Sequence, residues 1–298
     1  MMATSPSLAF AGIGLMGLPM CQRLLAAGYS LTVWNRNPDK CTPLVDAGAR
    51  QVETPAELCQ HADVVMLCLA DTAVVEEVVF GAAGIAEGAK NGQLLVDFSS
   101  LEPTATREMA TALASKTGMS WLDAPVSGGV VGAEAGSLAI MVGGEVADLE
   151  RVRPVLLNLG ARVTHMGAVG AGQVTKACNQ MIVACNALVI AEVVALAERS
   201  GVDASRIAEA LAGGFADSKP LQFLAPQMAE SHFEPVKWHV RTLLKDLDAA
   251  VKFSREQGSS TPISGLAAQL MRLHGGQGFL EKDPSTLVQM YREPSLKG

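Results

Sequence analysis

The chain has 298 residues, 49 % hydrophobic but only 4 % aromatic, which is enough for two ordinary domains with cores of Ala, Val, Leu, Ile and Met. A net charge of -7 and a pI near 5.3, without any run of Lys or Arg, exclude nucleic acid and anionic membrane as partners, so an anionic ligand needs a local site. The six cysteines, at 21, 41, 59, 68, 178 and 185, show no CxxC and no ligand-like spacing, and read as reduced thiols of a cytoplasmic protein that needs no metal.

The N-terminal stretch MMATSPSLAF does not read as a signal peptide. The first strand is LAFAG, residues 8 to 12, and it runs directly into GIGLMG. That motif sets Gly12, Gly14 and Gly17 between strand and helix, with Ile13, Leu15 and Met16 interleaved. The first glycine permits a tight turn, the second lets the backbone approach a pyrophosphate, and the third lets helix and strand pack closely. Free N–H groups at the positive end of the helix then face the phosphates, so the motif predicts dinucleotide binding.

The second strand, SLTVW (30 to 34), ends in VWNRNPDK. An NAD-binding unit would place Asp or Glu near here to accept from the ribose 2′-hydroxyl. Asn35 stands there instead, and Arg36 and Lys40 supply positive charge where a 2′-phosphate would lie. NADPH is therefore expected over NADH, the alternative being a solvated basic turn. Further on, TPAE puts Thr54 at an N-cap, Pro55 in the first turn and Glu57 at the reciprocal position of a capping box.

Strands follow at VVMLC (64 to 68), LLVDF (94 to 98), WLDA (121 to 124), LAIMV (138 to 142) and ARVTH (161 to 165), mostly separated by helical segments. This alternation predicts an α/β fold, a doubly wound and mostly parallel sheet of the Rossmann type over residues 1–168. The loop DAPVSGG lies outside the carboxyl end of a strand, where such sheets bind ligands. The Ser127 hydroxyl and the N–H groups of Gly128 and Gly129 suit a small carboxylate, unless the glycines only shape a turn.

Beyond residue 168 strand-like alternation stops, which predicts an all-α C-terminal domain over 169–298, with a long apolar helix, 169–199, joining the two. Further helices are expected near 204 to 212, 219 to 229, 240 to 257, 262 to 274 and 284 to 291. Polar residues cut the long helix into apolar runs of about five, short of the ~20 needed to span a bilayer. A helix hydrophobic on all sides needs cover, which predicts a homodimer or homotetramer. Lys176 breaks the apolarity in its first turns, with Asn179 and Gln180 at i+3 and i+4 on the same face. Partial removal from water would bring such a lysine toward neutral pKa and general acid–base work, whereas a lysine snorkelling from a helix start is the structural alternative.

From about Leu8 to Tyr291 these motifs together resemble the β-hydroxyacid dehydrogenase family: FAGIGLMGLPM its cofactor loop, DAPVSGG its substrate loop, GAGQVTKACNQ its catalytic helix and KDLDAA (245 to 250) its C-terminal motif. The resemblance implies that Lys176 donates a proton to the carbonyl oxygen during reduction. It implies that Ser127, Gly128 and Gly129 bind the substrate carboxylate, and that Asn179 and Gln180 orient substrate and lysine. Leu69 and Ser99 would line the cofactor, and Lys245 would close over it. Many members carry a second Asn where this chain has Gln180. In that respect, and in GGFADSK (213 to 219) and DPSTLVQ (283 to 289), the chain is similar to members that reduce tartronate semialdehyde. Members acting on 3-hydroxyisobutyrate or other short 3-hydroxy acids are the alternative. Imine reductases of the same architecture commonly lack the lysine, and a non-catalytic NADPH-binding module would be expected to have lost the catalytic helix.

Overall fold

The computed structural model describes residues 6–292. It divides into two compact units, one running to Lys176 and the other starting at Ala177.

The first unit is built on nine strands among the described residues: β1 Leu8–Ala11, β2 Leu31–Trp34, β3 Arg50–Gln51, β4 Val64–Leu67, β5 Leu94–Asp97, β6 Ser120–Asp123, β7 Val126–Ser127, β8 Leu138–Gly143 and β9 Gly160–Gly167. They form one sheet in the order β3-β2-β1-β4-β5-β6-β8-β7, with β9 paired to β8. Pairs from β3 to β6 are parallel, and β8 runs antiparallel to β6 and β7. Because successive side chains leave opposite faces of a strand, the apolar runs feed two cores at once. Leu8, Phe10, Val64, Met66, Leu94 and Val96 pack on one face, and Ala9, Ala11, Val65, Leu67 and Leu95 on the other. The order reverses at β1 and β4, and the glycine loop leaves β1 at that switch point.

Two strands escape the sequence pattern. β3 is a pair of exposed residues, and β7 lies inside the stretch expected to be a loop. Strands of two residues are too short to show alternation, and both are held by their neighbours β2 and β8. The capping box is corrected too. Thr54 is the N-cap, but its hydroxyl donates to Glu57 Oε1 at 2.8 Å instead of accepting from the helix, and Glu57 Oε2 accepts from the Glu53 N–H at 3.4 Å.

In the second unit the helices fall where periodicity puts them: Ile207–Leu211, Lys219–Ala229, Val240–Glu256 and Pro262–His274, with a 3-10 turn at Pro284–Met290. Val240, Leu243, Leu244, Leu247 and Val251 recur at helical spacing and are buried, the last four packing with Leu224, Met228, Met271 and Leu287. His274 is fully buried and stacked on Phe279 with ring centroids 4.2 Å apart. The Thr286 hydroxyl donates to the Asp283 carbonyl at 2.7 Å, so His274 Nε2 carries the proton it donates to Thr286 Oγ1 at 2.9 Å. Nδ1 is left without a partner, and burial pushes the imidazole down to about 4.

The long helix runs from Ala171 to Arg199. By length and composition it could cross a membrane, contrary to the expectation from its short apolar runs, because isolated polar residues do not offset its mean hydropathy of 2.0 over the best window. Its Ala184, Ala187, Leu188, Ala191, Val194 and Ala195 build the core of the helical unit. The opposite side is bare, for Ile182 is 63 % and Leu196 66 % exposed, with Val189 and Val193 between them also exposed.

Candidate active site

The glycine loop combines close packing with one open position. Gly12 has φ +100°, and a Cβ there would collide with the Cys68 carbonyl oxygen; a Cβ on Gly17 would collide with the carbonyl of Gly12 itself. A Cβ on Gly14 meets nothing within 4 Å. The helix Gly17–Ala26 has no side-chain cap at Met16, and the N–H groups of Gly14, Leu15 and Met16 have no acceptor among the described residues. Uncapped donors at a helix N-terminus, beside a glycine with open space over it, fit the pyrophosphate of a dinucleotide. Ile13 is buried and Leu15 points outward.

Asn35 braces this loop. Its Oδ1 accepts from the Ile13 N–H at 2.9 Å, and its Nδ2 donates to the Asn37 carbonyl at 2.8 Å. The position at which a ribose acceptor was expected therefore holds an amide already engaged with the backbone. Arg36 and Lys40 are exposed just beyond it, and among the described residues neither makes an ion pair. On the next strand but one, the Leu69 N–H donates to Ser99 Oγ at 2.9 Å, so the two expected cofactor-lining residues are joined. Ser99 is itself buried.

The ends of β5 and β6 carry buried carboxyls side by side, Asp97 opposite Asp123 in the parallel register. Asp97 Oδ1 accepts from the Ser99 N–H at 2.9 Å, but Oδ2 has no partner, and burial pushes this carboxyl up to about 7. Asp123 is raised by burial as well and pulled back by backbone donors, since Oδ1 accepts from Gly170 N at 2.7 Å and Oδ2 from Gln173 N at 2.9 Å. Those are N–H groups at the start of the long helix, so Asp123 caps it across the sheet edge.

Lys176 is half-buried, and its Nζ donates to the Val126 carbonyl at 3.0 Å. Val126 precedes Ser127 in β7, and Gly128 and Gly129 follow at φ +138° and +62°, exposed at the start of the helix Gly129–Ala135. The lysine, the serine hydroxyl and the two exposed glycine amides thus belong to one neighbourhood of the first unit. In the helical unit, Asn179 Nδ2 donates to Gln180 Oε1 at 2.8 Å, and Gln180 Nε2 donates to Asp246 Oδ2 at 2.6 Å. The exposed Lys245 has its Nζ 3.6 Å from Asp246 Oδ1. Asn179, Gln180 and Lys245 are therefore linked through Asp246.

Asp97, Asp123, Gln173 and Asp246 were not singled out in the sequence, although all four sit inside quoted stretches. An acid closing a wholly apolar strand, as in LLVDF and WLDA, is the signal that could have found the first two, since a carboxylate there is buried and must be partnered.

Comparison with known proteins covers nearly the whole chain. Residues 7–167 match the model of the NAD binding domain of 6-phosphogluconate dehydrogenase, and residues 170–291 match that of the NAD-binding region of NADP-dependent 3-hydroxyisobutyrate dehydrogenase. The chain is 36 % identical to the 2-hydroxy-3-oxopropionate reductase of Escherichia coli, over 95 % of this chain and 96 % of that one. It is also 36 % identical to the 3-hydroxyisobutyrate dehydrogenase of Pseudomonas aeruginosa, over 96 % and 98 % respectively. Among solved structures it resembles a Mycobacterium tuberculosis 3-hydroxyisobutyrate dehydrogenase with L-serine, at a TM-score of 0.87 and 30 % identity, covering 97 % of this chain and 100 % of that one.

Proposed function

The chain belongs to the β-hydroxyacid dehydrogenase family of oxidoreductases, and on that premise we propose that it reduces tartronate semialdehyde (2-hydroxy-3-oxopropanoate) to glycerate with NADPH. The nicotinamide, when bound, supplies the hydride. Lys176 supplies the proton, to the carbonyl oxygen, and the reverse reaction returns it.

The observation that carries the reading is the lysine itself. Its ammonium is held in the donating sense by the Val126 carbonyl, one residue from the Ser127 hydroxyl and close in sequence to two exposed glycine amides. Those amides and the hydroxyl are donors suited to a substrate carboxylate. A snorkelling lysine also half-buries its stem but keeps its ammonium in water, whereas this ammonium meets a backbone acceptor.

Asn179, one turn further along the same helix and followed by Gln180, supports the choice of substrate, because that pair is similar to members of the family that reduce tartronate semialdehyde. Its Nδ2 is spent on Gln180, which leaves Oδ1 as an acceptor without a partner among the described residues. Arg36 and Lys40, exposed and without ion-pair partners among the described residues, support NADPH over NADH.

The reading extends to a cytoplasmic homo-oligomer with a small-molecule substrate and without nucleic-acid or membrane partners. The bare apolar side of the long helix, together with Ile263, Leu266 and Leu273 exposed at helical spacing on Pro262–His274, supports cover by a second copy.

The test is nicotinamide absorbance during reduction of tartronate semialdehyde, methylmalonate semialdehyde and succinate semialdehyde with each cofactor. The proposal requires tartronate semialdehyde with NADPH to lead in kcat/KM by about tenfold or more, about 1.4 kcal/mol of transition-state discrimination. A lead for methylmalonate semialdehyde would transfer the assignment to 3-hydroxyisobutyrate.

A further inference from the structure

Gln173 lies three residues before Lys176 on the same helix and is 1 % exposed. Its side-chain amide and its own N–H are all spent outside that helix. Its side-chain Nε2 donates to the Ser99 carbonyl at 2.8 Å, its Oε1 accepts from the Leu101 N–H at 3.0 Å, and its own N–H donates to Asp123 Oδ2 at 2.9 Å. Ser99 in turn takes the Leu69 N–H on its hydroxyl. One buried residue, through its side-chain amide and its backbone N–H, therefore joins the turn after β5, the end of β6 and the start of the helix that carries the lysine.

Such a tie does more than fill a core. A planar amide that donates to one residue and accepts from another two positions on fixes both the distance and the rotation of the helix about its axis. Lys176 lies within one turn of it, so a change of helix rotation carries the ammonium away from Val126. The turn that Gln173 grips, Ser99 to Leu101, begins with a residue paired to Leu69 beside the glycine loop, where a Cβ on Gly12 would also touch the Leu69 side chain.

We propose that Gln173 is a positioning residue for the reduction, one that sets the spacing between the Leu69–Ser99 wall on the cofactor side and the Lys176 ammonium. The proposal rests on the reading of Lys176 as proton donor. Near-attack geometry tolerates little displacement, and a shift of about 1 Å can cost about a hundredfold in rate.

The experiment is a double-mutant cycle of Gln173→Met and Lys176→Ala, with NADPH affinity measured by its fluorescence and amide hydrogen exchange followed at Leu101. Gln173→Met keeps the length and removes both side-chain hydrogen bonds. It is expected to lower kcat about 10- to 100-fold with KM and NADPH affinity within about threefold, and to cost less than about threefold further in the Lys176→Ala background, because a residue acting through the lysine loses its effect once the lysine is gone. Exchange at the Leu101 amide should quicken by about tenfold or more, reporting the broken tie without reference to turnover. Should Gln173→Met fail to fold, Gln173→Glu, which keeps the acceptor for Leu101, takes its place in the same cycle.

An equal loss of kcat with and without Lys176 would assign Gln173 to general stability and overturn the proposal, as would unchanged turnover in a folded variant whose Leu101 amide is deprotected. If Lys176→Ala alone retained wild-type turnover, the functional reading would fall first and Gln173 would have no lysine to position; the unperturbed single variant identifies that case.

Discussion

Lys176 Nζ and the Val126 carbonyl oxygen lie 3.0 Å apart, and this contact ties the candidate proton donor to the strand residue that precedes Ser127. The loop proposed to bind substrate and the proposed proton donor are thereby registered on one another.

Removing the amine should abolish the proton transfer and spare the rest. Lys176→Ala is expected to lower kcat by about 10²- to 10⁴-fold with NADPH affinity nearly unchanged, measured by steady-state kinetics and NADPH fluorescence titration. Lys176→Arg keeps the charge but not an easily surrendered proton, so it should fail to restore turnover.

Cofactor choice should be readable at the end of β2. Arg36→Ala is expected to weaken NADPH by about tenfold or more, the loss of a charged hydrogen bond worth about 1.5–3 kcal/mol, and to leave NADH little changed. Wild-type kcat/KM values that are equal for the two cofactors would refute the 2′-phosphate role of Arg36.

Stability should respond to pH with opposite signs in the two units. Asp97 is raised by burial from its ordinary 3.8 to about 7, so its contribution is intact below about pH 4 and is lost as pH rises through 7. His274 is lowered from 6.5 to about 4, so its contribution is intact above 6.5 and is lost as pH falls through 4. In thermal melts, Asp97→Asn should therefore gain on wild type at pH 8 and lose that advantage by pH 4.5, because the neutral amide keeps the acceptor for Ser99 without a buried charge. An advantage that did not vary with pH would show that Asp97 is not the titrating group.

Placing a charge on the bare apolar faces should oppose self-association. Ile182→Lys and Leu266→Lys are each expected to reduce the mass seen by light scattering while circular dichroism stays native, because both side chains already face outward and burying an ammonium at an interface is costly. A wild-type protein that scatters as a monomer at micromolar concentration would contradict the oligomer outright.

The sequence was legible where pattern and burial agree. Strands such as LLVDF and helices such as Val240–Glu256 announce themselves because their spacing matches the face they bury. It was illegible where tertiary pairing decides: Arg50–Gln51 becomes a strand only because β2 offers its edge, and Thr54 turns its hydroxyl to Glu57 where a cap bond was expected. The site divides the same way. The glycine loop and Lys176 carry recognisable chemistry in their local sequence, but nothing local distinguishes Gln173, whose side-chain partners lie 72 to 74 residues earlier. Asn35 was read as a ribose neighbour, yet its amide braces the loop, and only the fold reveals that choice between two acceptable hydrogen-bonding roles.

The unequal crowding around the glycine loop has an evolutionary corollary. Gly12 and Gly17 are enforced by the chain's own backbone, so alanine there would be purged even in a lineage that had abandoned its ligand. Gly14 has open space above it, so alanine there should fold and yet place a methyl group where a pyrophosphate would come close. Its persistence or decay among descendants would therefore record whether the ligand was still in use, while its two neighbours record only that the domain still folds.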